Sequence, residues 1–316
     1  MYDQDHFFQV INLGNDAWQS KMLEQSQIGY YLDSIRTRGF IEIPDAFPME
    51  VIDRINQLID GPLSRPTING RRGYVQAWNM RFLHQTLSWG REIINLYTHP
   101  VLIEVARQHL QASVHLSNYR IYRSFPSPSG RMPWHIDKLD TYNYERERFE
   151  SLLLEHDIGL SMILYLSDVE DGGLQIVEGS HLWAYTREIW DDQEMEFADK
   201  TVTFNNRKQT TAILYDYRCI HRPKPYTTGI VRTSLFAQYS PSWMPTGEPI
   251  LLNVRDIADL SEMQRCVLNF GQAPTCTENW PIGKPEEILD ASGIHLEMPY
   301  RRFCSNLKSA IKSLLR

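Results

Sequence analysis

The stretch Ile158–His181, IGLSMILYLSDVEDGGLQIVEGSH, decides the fold. Its apolar run Ile158–Leu166 has the length of a buried strand and falls far short of the roughly 20 residues that cross a bilayer. Asp171-Gly172-Gly173 then makes a turn, and Leu174-Gln175-Ile176-Val177 reads as a second short strand. The same texture continues on both sides. VHLSNYRIYRSF lies upstream, while KTVTFN, TTAILYDY and IVRTSLFAQYS follow, all rich in β-branched and aromatic residues and bounded by turns. Between Ser113 and Tyr239 the pattern therefore predicts a sheet sandwich or small barrel. One charged segment of helical propensity, Tyr142–Asp157, interrupts it as an insertion.

Outside this region the period changes to that of helices. Residues 22–40 and 48–60 place Met22, Leu23, Ile28, Leu32 and Ile35, then Val51, Ile52, Ile55, Leu58 and Ile59, at helical spacing, with a short strand, Gly39–Pro44, between them. Leu87–Tyr97 and Pro100–Leu110 read as further helices, and the Gly-, Pro- and Arg-rich residues 61–82 as a loop. After Trp243 helix and loop mix, ending in YRRFCSNLKSAIKSLLR, whose Phe303, Leu307, Ile311 and Leu314 form an apolar stripe suited to packing on the main domain, to a homodimer contact or to a surface. The organisation expected is one domain over 1–316: a helical region over about 1–112, a β core over about 113–240 and an extension over about 241–316.

Composition narrows the function. Lys plus Arg number 32 against 39 Asp plus Glu, a net charge of −7, so little is gained from counterion release on nucleic acid. Four scattered cysteines with no CxxC pair, and an acidic N-terminus, suit a reduced, cytoplasmic protein with no transmembrane segment. No nucleophile elbow, phosphate-binding GxxxxGK[ST] loop or HExxH occurs, which leaves hydrolase and nucleotide-binding readings unsupported.

The chemistry lies in two segments. His135-Ile136-Asp137 on a strand puts both polar side chains on one face, because side-chain direction repeats every two residues. A later β run delivers His221, and two histidines with one carboxylate are the facial set that holds Fe(II) while leaving positions open. Arg232 follows on the next strand; a guanidinium inside a barrel calls for a bidentate carboxylate, which a dicarboxylate co-substrate would supply.

The HxD pair, the run LSMILYLSDVEDGGLQIVEGSH and the segment DYRCIHRPKPYTTGIVRTSLFAQY stand in an order and spacing that resemble the phytanoyl-CoA dioxygenase-like family of Fe(II)/2-oxoglutarate oxygenases. So does the helix-then-strand entry THPVLIEVARQHLQASVHL; the resemblance covers about residues 98 to 240. It implies a mostly β fold with flanking helices, a double-stranded β-helix of the jelly-roll, cupin-like kind. His135, Asp137 and His221 would hold iron, Arg232 would clamp the distal carboxylate of 2-oxoglutarate with Ser234 as hydroxyl partner, and Tyr122 and Asn118 would stand at its near end. Tyr122 reads equally as a core aromatic. Substrate contacts are expected from Arg72, Trp78, Arg81, Trp134 and Lys138 around the barrel mouth.

The resemblance further implies O2 as second co-substrate, release of succinate and CO2, and hydroxylation of an unactivated C–H bond of a small molecule. Desaturation or cyclisation would use the same residues, while a metal- or ligand-binding barrel without turnover is the reading from another class. Asp137 disfavours halogenation, since related halogenases have a small residue there. Two features depart from the family pattern: Pro223-Lys224-Pro225 stiffens the rim beside His221, and Tyr142–Asp157 follows Asp137 either as a lid or as a surface helix. Cys219, two residues before His221, reads as a packing residue and His181 as a structural one.

Overall fold

The computed structural model describes residues 25–64, 74–77, 80–126, 132, 134–137, 159–183, 197–225, 229, 231–242, 244, 250–258, 260–270 and 288–289. The chain enters through helix α1 (Ile28–Arg38), which buries Ile28, Tyr31, Leu32 and Ile35 along one stripe. Gly39 ends it at φ 92, its N–H bonded back to the Ile35 carbonyl. A Cβ at that position would stand 2.5 Å from Cys219 Sγ and 2.7 Å from His181 Nδ1, so glycine meets both a left-handed backbone and a close approach.

Strand β1 (Phe40–Ile43) leaves from this cap, and α2 (Met49–Ser64), β2 (Tyr74–Ala77), β3 (Met80–His84), α3 (Arg91–Tyr97) and α4 (Pro100–Leu110) follow. The β core comprises β4 (Val114–Ser124), β5 (Leu160–Tyr165), β6 (Leu174–Val177), β7 (Thr201–Thr203), β8 (Ala212–Asp216), β9 (His221–Pro223) and β10 (Arg232–Pro241). Beyond it lie β11 (Leu252–Asn253), α5 (Val254–Ile257), α6 (Glu262–Val267) and β12 (Ile288–Leu289), with β11 and β12 paired in parallel.

Seven strands form the main antiparallel sheet in the order β1-β8-β5-β10-β4-β3-β2, and three form a second, β7-β6-β9. An antiparallel bridge between His135 and His221 extends the second sheet by one more segment. The main sheet is covered on both faces. Met162, Leu164, Leu214, Leu235 and Tyr239 pack on Ile35, Ile55, Leu102 and Val105 of the helices. Ile163, Tyr165, Ile213 and Tyr215 point the other way, against Leu174, Ile176 and Phe204 from the second sheet and its turns. A strand buried on both sides has no polar face to show, which is why LSMILY reads as a near-continuous apolar run and all six of its residues are buried. Two facing antiparallel sheets of this kind make the double-stranded β-helix.

Three expectations change. The region read as helical up to residue 112 supplies, besides the strand expected at Gly39–Pro44, which is β1, also β2 and β3 to the main sheet. Of residues 61–82, read as a loop, those up to Ser64 continue α2, because Leu63 is fully buried, while Tyr74–Ala77 and the start of Met80–His84 are the paired strands β2 and β3, with β3 on the edge of β4. Their strand identity comes from hydrogen bonds to a distant edge, which a Gly/Pro/Arg-rich composition conceals. Leu87–Tyr97 divides into a 3-10 turn, Thr86–Trp89, and α3, broken at Gly90, whose φ of 142 no other residue adopts readily. Tyr142–Asp157 and Tyr300–Arg316 lie outside the described residues.

Candidate active site

His135 and His221 exchange a reciprocal pair of backbone hydrogen bonds of 3.0 and 2.9 Å, which sets their rings side by side with centroids 4.3 Å apart. Asp137 N–H donates to the Tyr217 carbonyl at 3.1 Å, so the turn between β8 and β9 holds a second ligand as well. The His221 Nδ1 lies 2.9 Å from the Cys219 carbonyl oxygen. A carbonyl can only accept, so the proton sits on Nδ1 and the lone pair on Nε2, which faces Asp137 Oδ1 at 3.6 Å. The ligand atoms of His135, Asp137 and His221 all lie within 4.8 Å of one another, and this is the one such group among the described residues. Ligands of these types bind a divalent ion at roughly 2.0–2.2 Å, so a single ion can draw on all three.

The surroundings keep the set ready for a cation. Burial pushes the Asp137 carboxyl up, but His221 and His135 nearby and hydrogen bonds from Ser161 and Gln238 outweigh it and hold it below its ordinary value. Ser161 Oγ donates to Asp137 Oδ2 at 2.6 Å, and Gln238 Nε2 reaches Ser161 Oγ at 3.4 Å. Burial first, and then His135, lower the His221 imidazole to about 4, against the pull of Asp137, so it is neutral near pH 7. The Tyr215 hydroxyl stands 3.4 Å from His221 Nε2, and burial raises its pKa.

Arg232 stands on β10 of the main sheet, on the face that also carries Ser234, Phe236 and Gln238. It is 2% exposed, and its Nη2 donates to Ser124 Oγ at 3.2 Å, a neutral partner. Register places Ser234 between Tyr122 on β4 and Tyr165 on β5. Burial raises both tyrosine hydroxyls, Tyr165 to about 12, while the Arg232 charge works against the rise in each. Ser234 Oγ stands beside Tyr122 outside hydrogen-bonding geometry; that atom and Asn118 Oδ1 are buried without a hydrogen bond, capacity left for a ligand or water.

Of the residues expected around the mouth, Trp134 is buried among Val177, Phe197, Tyr217 and Ile220, with Arg222 over its ring at 4.2 Å. Arg81 is not brought to the inner wall: its Nη1 donates to the Leu63 carbonyl of α2, and it stacks on Phe125, on the face of β3 opposite Phe82. Arg72, Trp78 and Lys138 lie outside the described residues. Cys219 is buried with its thiol directed at the Gly39 carbonyl, and His181 bonds the Arg36 carbonyl, both in packing roles. Ser161, Gln238, Tyr165 and Tyr215 escape the sequence reading; their one signal is a polar group recurring at alternate positions of otherwise apolar strands.

Fold and site together place two histidines and a carboxylate, close enough to share one metal ion, in a double-stranded β-helix. The chain belongs to the phytanoyl-CoA dioxygenase (PhyH) family, whose model matches residues 35–234. No curated protein matches it. Among solved structures, the non-heme alpha ketoglutarate dependent epimerase SnoN from nogalamycin biosynthesis is 15% identical with a TM-score of 0.53, covering 69% of this chain and 85% of its own. SnoN in complex with Fe3+, alpha ketoglutarate and nogalamycin RO is likewise 15% identical, with a TM-score of 0.55 and coverage of 83% and 98%. The carbocyclase SnoK of the same biosynthesis is 19% identical, with a TM-score of 0.50 and coverage of 67% and 83%.

Proposed function

We propose that this protein is a non-haem Fe(II)/2-oxoglutarate-dependent dioxygenase that hydroxylates an unactivated C–H bond of a small-molecule metabolite, with release of succinate and CO2. The observation that carries the reading is the His135–Asp137–His221 set on the second sheet, with the buried Arg232 guanidinium on β10 of the main sheet. When bound, iron and 2-oxoglutarate supply the activation of O2. The chain's own part is positional. His135, Asp137 and His221 hold the metal, Ser161 and the Cys219 carbonyl orient two of those ligands, and Arg232 with Ser234, Tyr122 and Asn118 orients the co-substrate. Ile163 and Ile213, with Phe236 packed against them, make the neighbouring part of that sheet face apolar.

The same residues serve desaturation or cyclisation, and the epimerase and carbocyclase activities named for the structural neighbours favour keeping that second outcome. No helix among the described residues is long and apolar enough to cross a membrane. Among the described residues Cys219 and Cys266 carry free thiols, which supports a cytoplasmic setting.

Anaerobic titration of metal-free protein with Fe(II) and 2-oxoglutarate tests the reading. A visible charge-transfer band, absent in His135→Ala, is expected. No band in folded wild-type protein overturns the assignment. Product carrying one added oxygen, formed in step with succinate, separates hydroxylation from desaturation.

A further inference from the structure

Register sets a row of polar side chains across one face of the main sheet. Tyr215 on β8 pairs with Ser161 on β5, Ser161 with Gln238 on β10, and Gln238 with Asn118 on β4. The next row along the same face, Ile213, Ile163 and Phe236, is apolar. Polar groups on a buried face cost free energy unless they find partners, and two of this row meet the metal residues. The Tyr215 hydroxyl stands 3.4 Å from His221 Nε2, and Ser161 Oγ donates to Asp137 Oδ2 at 2.6 Å. Gln238, 3% exposed, comes next, with its Nε2 3.4 Å from Ser161 Oγ.

Proton counting fixes the direction of this chain. An ionised carboxylate only accepts, so the single proton of the Ser161 hydroxyl lies in the contact with Asp137. Ser161 then offers only lone pairs to its other neighbours, and the Gln238 atom that faces it is a donor, the amide Nε2. While that amide is in place, turning the Ser161 hydroxyl away from Asp137 and toward Gln238 would set two donors against each other. The Gln238 backbone is itself held. At this point β4 has one residue more than β10, Ser117, between the partners of Gln238 and Tyr239, and its Oγ donates to the Gln238 carbonyl at 3.3 Å. A bulge of this kind re-aims the side chains beside it. Ser240 Oγ donates to Ser117 Oγ in turn, at 3.0 Å. Gln238 also helps directly to keep the Asp137 carboxyl ionised, to a smaller extent than Ser161.

We propose that Gln238 is a positioning residue of the metal site: it holds the Ser161 hydroxyl as a donor to Asp137 Oδ2, which keeps Oδ1 turned toward His221 Nε2. The inference rests on the metal-binding part of the reading above and deepens it. The ligands on the second sheet are oriented by a row of the main sheet, and Gln238 acts on Asp137 mainly through Ser161.

The test measures Fe(II) binding by full-length, metal-free protein, anaerobically and without 2-oxoglutarate, in competition with a chromophoric chelator. Gln238→Met, which keeps the length and removes the donor, is expected to weaken Fe(II) by about 3- to 10-fold. Gln238→Asn, whose amide is one carbon shorter, is expected to do the same, and it carries the test if Gln238→Met fails to fold. In a Ser161→Ala background either change is expected to cost about 2-fold or less, because the hydroxyl it acts through is gone. Visible absorption of the Co(II)-loaded proteins gives a reading that packing alone does not move: the Gln238 variants and Ser161→Ala should shift the bands in the same direction. Unchanged Fe(II) affinity in the Gln238 variants overturns the proposal. So does a loss that is undiminished in the Ser161→Ala background, the signature of packing or of an independent contact. Normal metal binding with weakened 2-oxoglutarate also overturns it, by placing Gln238 on the co-substrate. Wild-type protein that binds neither Fe(II) nor Co(II) overturns the metal-binding reading itself, an outcome distinct from normal wild-type binding with indifferent variants. Melting temperature serves as the folding control throughout.

Discussion

The imidazole of His221 is oriented by the backbone of Cys219: Nδ1 donates to that carbonyl over 2.9 Å, turning Nε2 toward Asp137. The turn that makes this contact is held from behind by a buried group of charges. Asp216 receives the Arg218 backbone N–H and side chain and pairs with His109 of α4 at 3.0 Å. Burial pushes the Asp216 carboxyl up, but His109 and Arg218 more than reverse this and hold it well below the usual carboxylate range. The same turn takes the Asp137 N–H on the Tyr217 carbonyl, so one short segment positions two of the three metal residues.

Ser161→Ala removes the 2.6 Å hydrogen bond to Asp137 while keeping the backbone of a strand buried throughout. Groups that orient a metal ligand typically contribute 10- to 100-fold in affinity, so Fe(II) binding should weaken by about that factor with the fold retained. Competition against a chromophoric chelator measures it; unchanged affinity would show that Ser161 does not orient Asp137.

Metal-free protein should lose stability as pH falls from about 6.5 to about 4. The folded His221 titrates at about 4, below its ordinary 6.5, so between these values the unfolded chain binds more protons than the folded one. The contribution is complete above 6.5 and lost as pH drops through the folded value. Asp137, also held low, continues the trend in more acidic solution. Melting temperatures across pH 4–7 check the slope, which His221→Phe should flatten.

Arg232→Ala should weaken 2-oxoglutarate by about 10- to 100-fold, the loss of charge-assisted hydrogen bonds, and spare Fe(II) affinity. Calorimetry with each component separately decides this. Unchanged 2-oxoglutarate binding would remove Arg232 from the co-substrate site.

Gly39→Ala should lower stability by about 1–3 kcal/mol, since it forces a side chain into a left-handed backbone and against Cys219 and His181. Because Cys219 carries the carbonyl that orients His221, Fe(II) affinity is expected to fall as well. Chemical denaturation and metal titration on the same variant provide both readings.

Much of this protein follows from the chain read as text. Alternation and apolar runs define strands wherever the structure buries them on both faces, as in LSMILY, and His135, Asp137 and His221 stand out because their residue types and spacing are those of a facial metal set. What lies beyond that depends on contacts between distant segments. The β2–β3 hairpin exists because β4 offers an edge, and its composition alone resembles a loop. Ser161 acts on Asp137 across 24 residues, and Arg81 turns to α2 while Gln238 turns to Ser161, because register and strand pairing set the face of every side chain. A sequence specifies which side chains alternate; the partner on each side decides which alternate set meets the metal and which meets the helices.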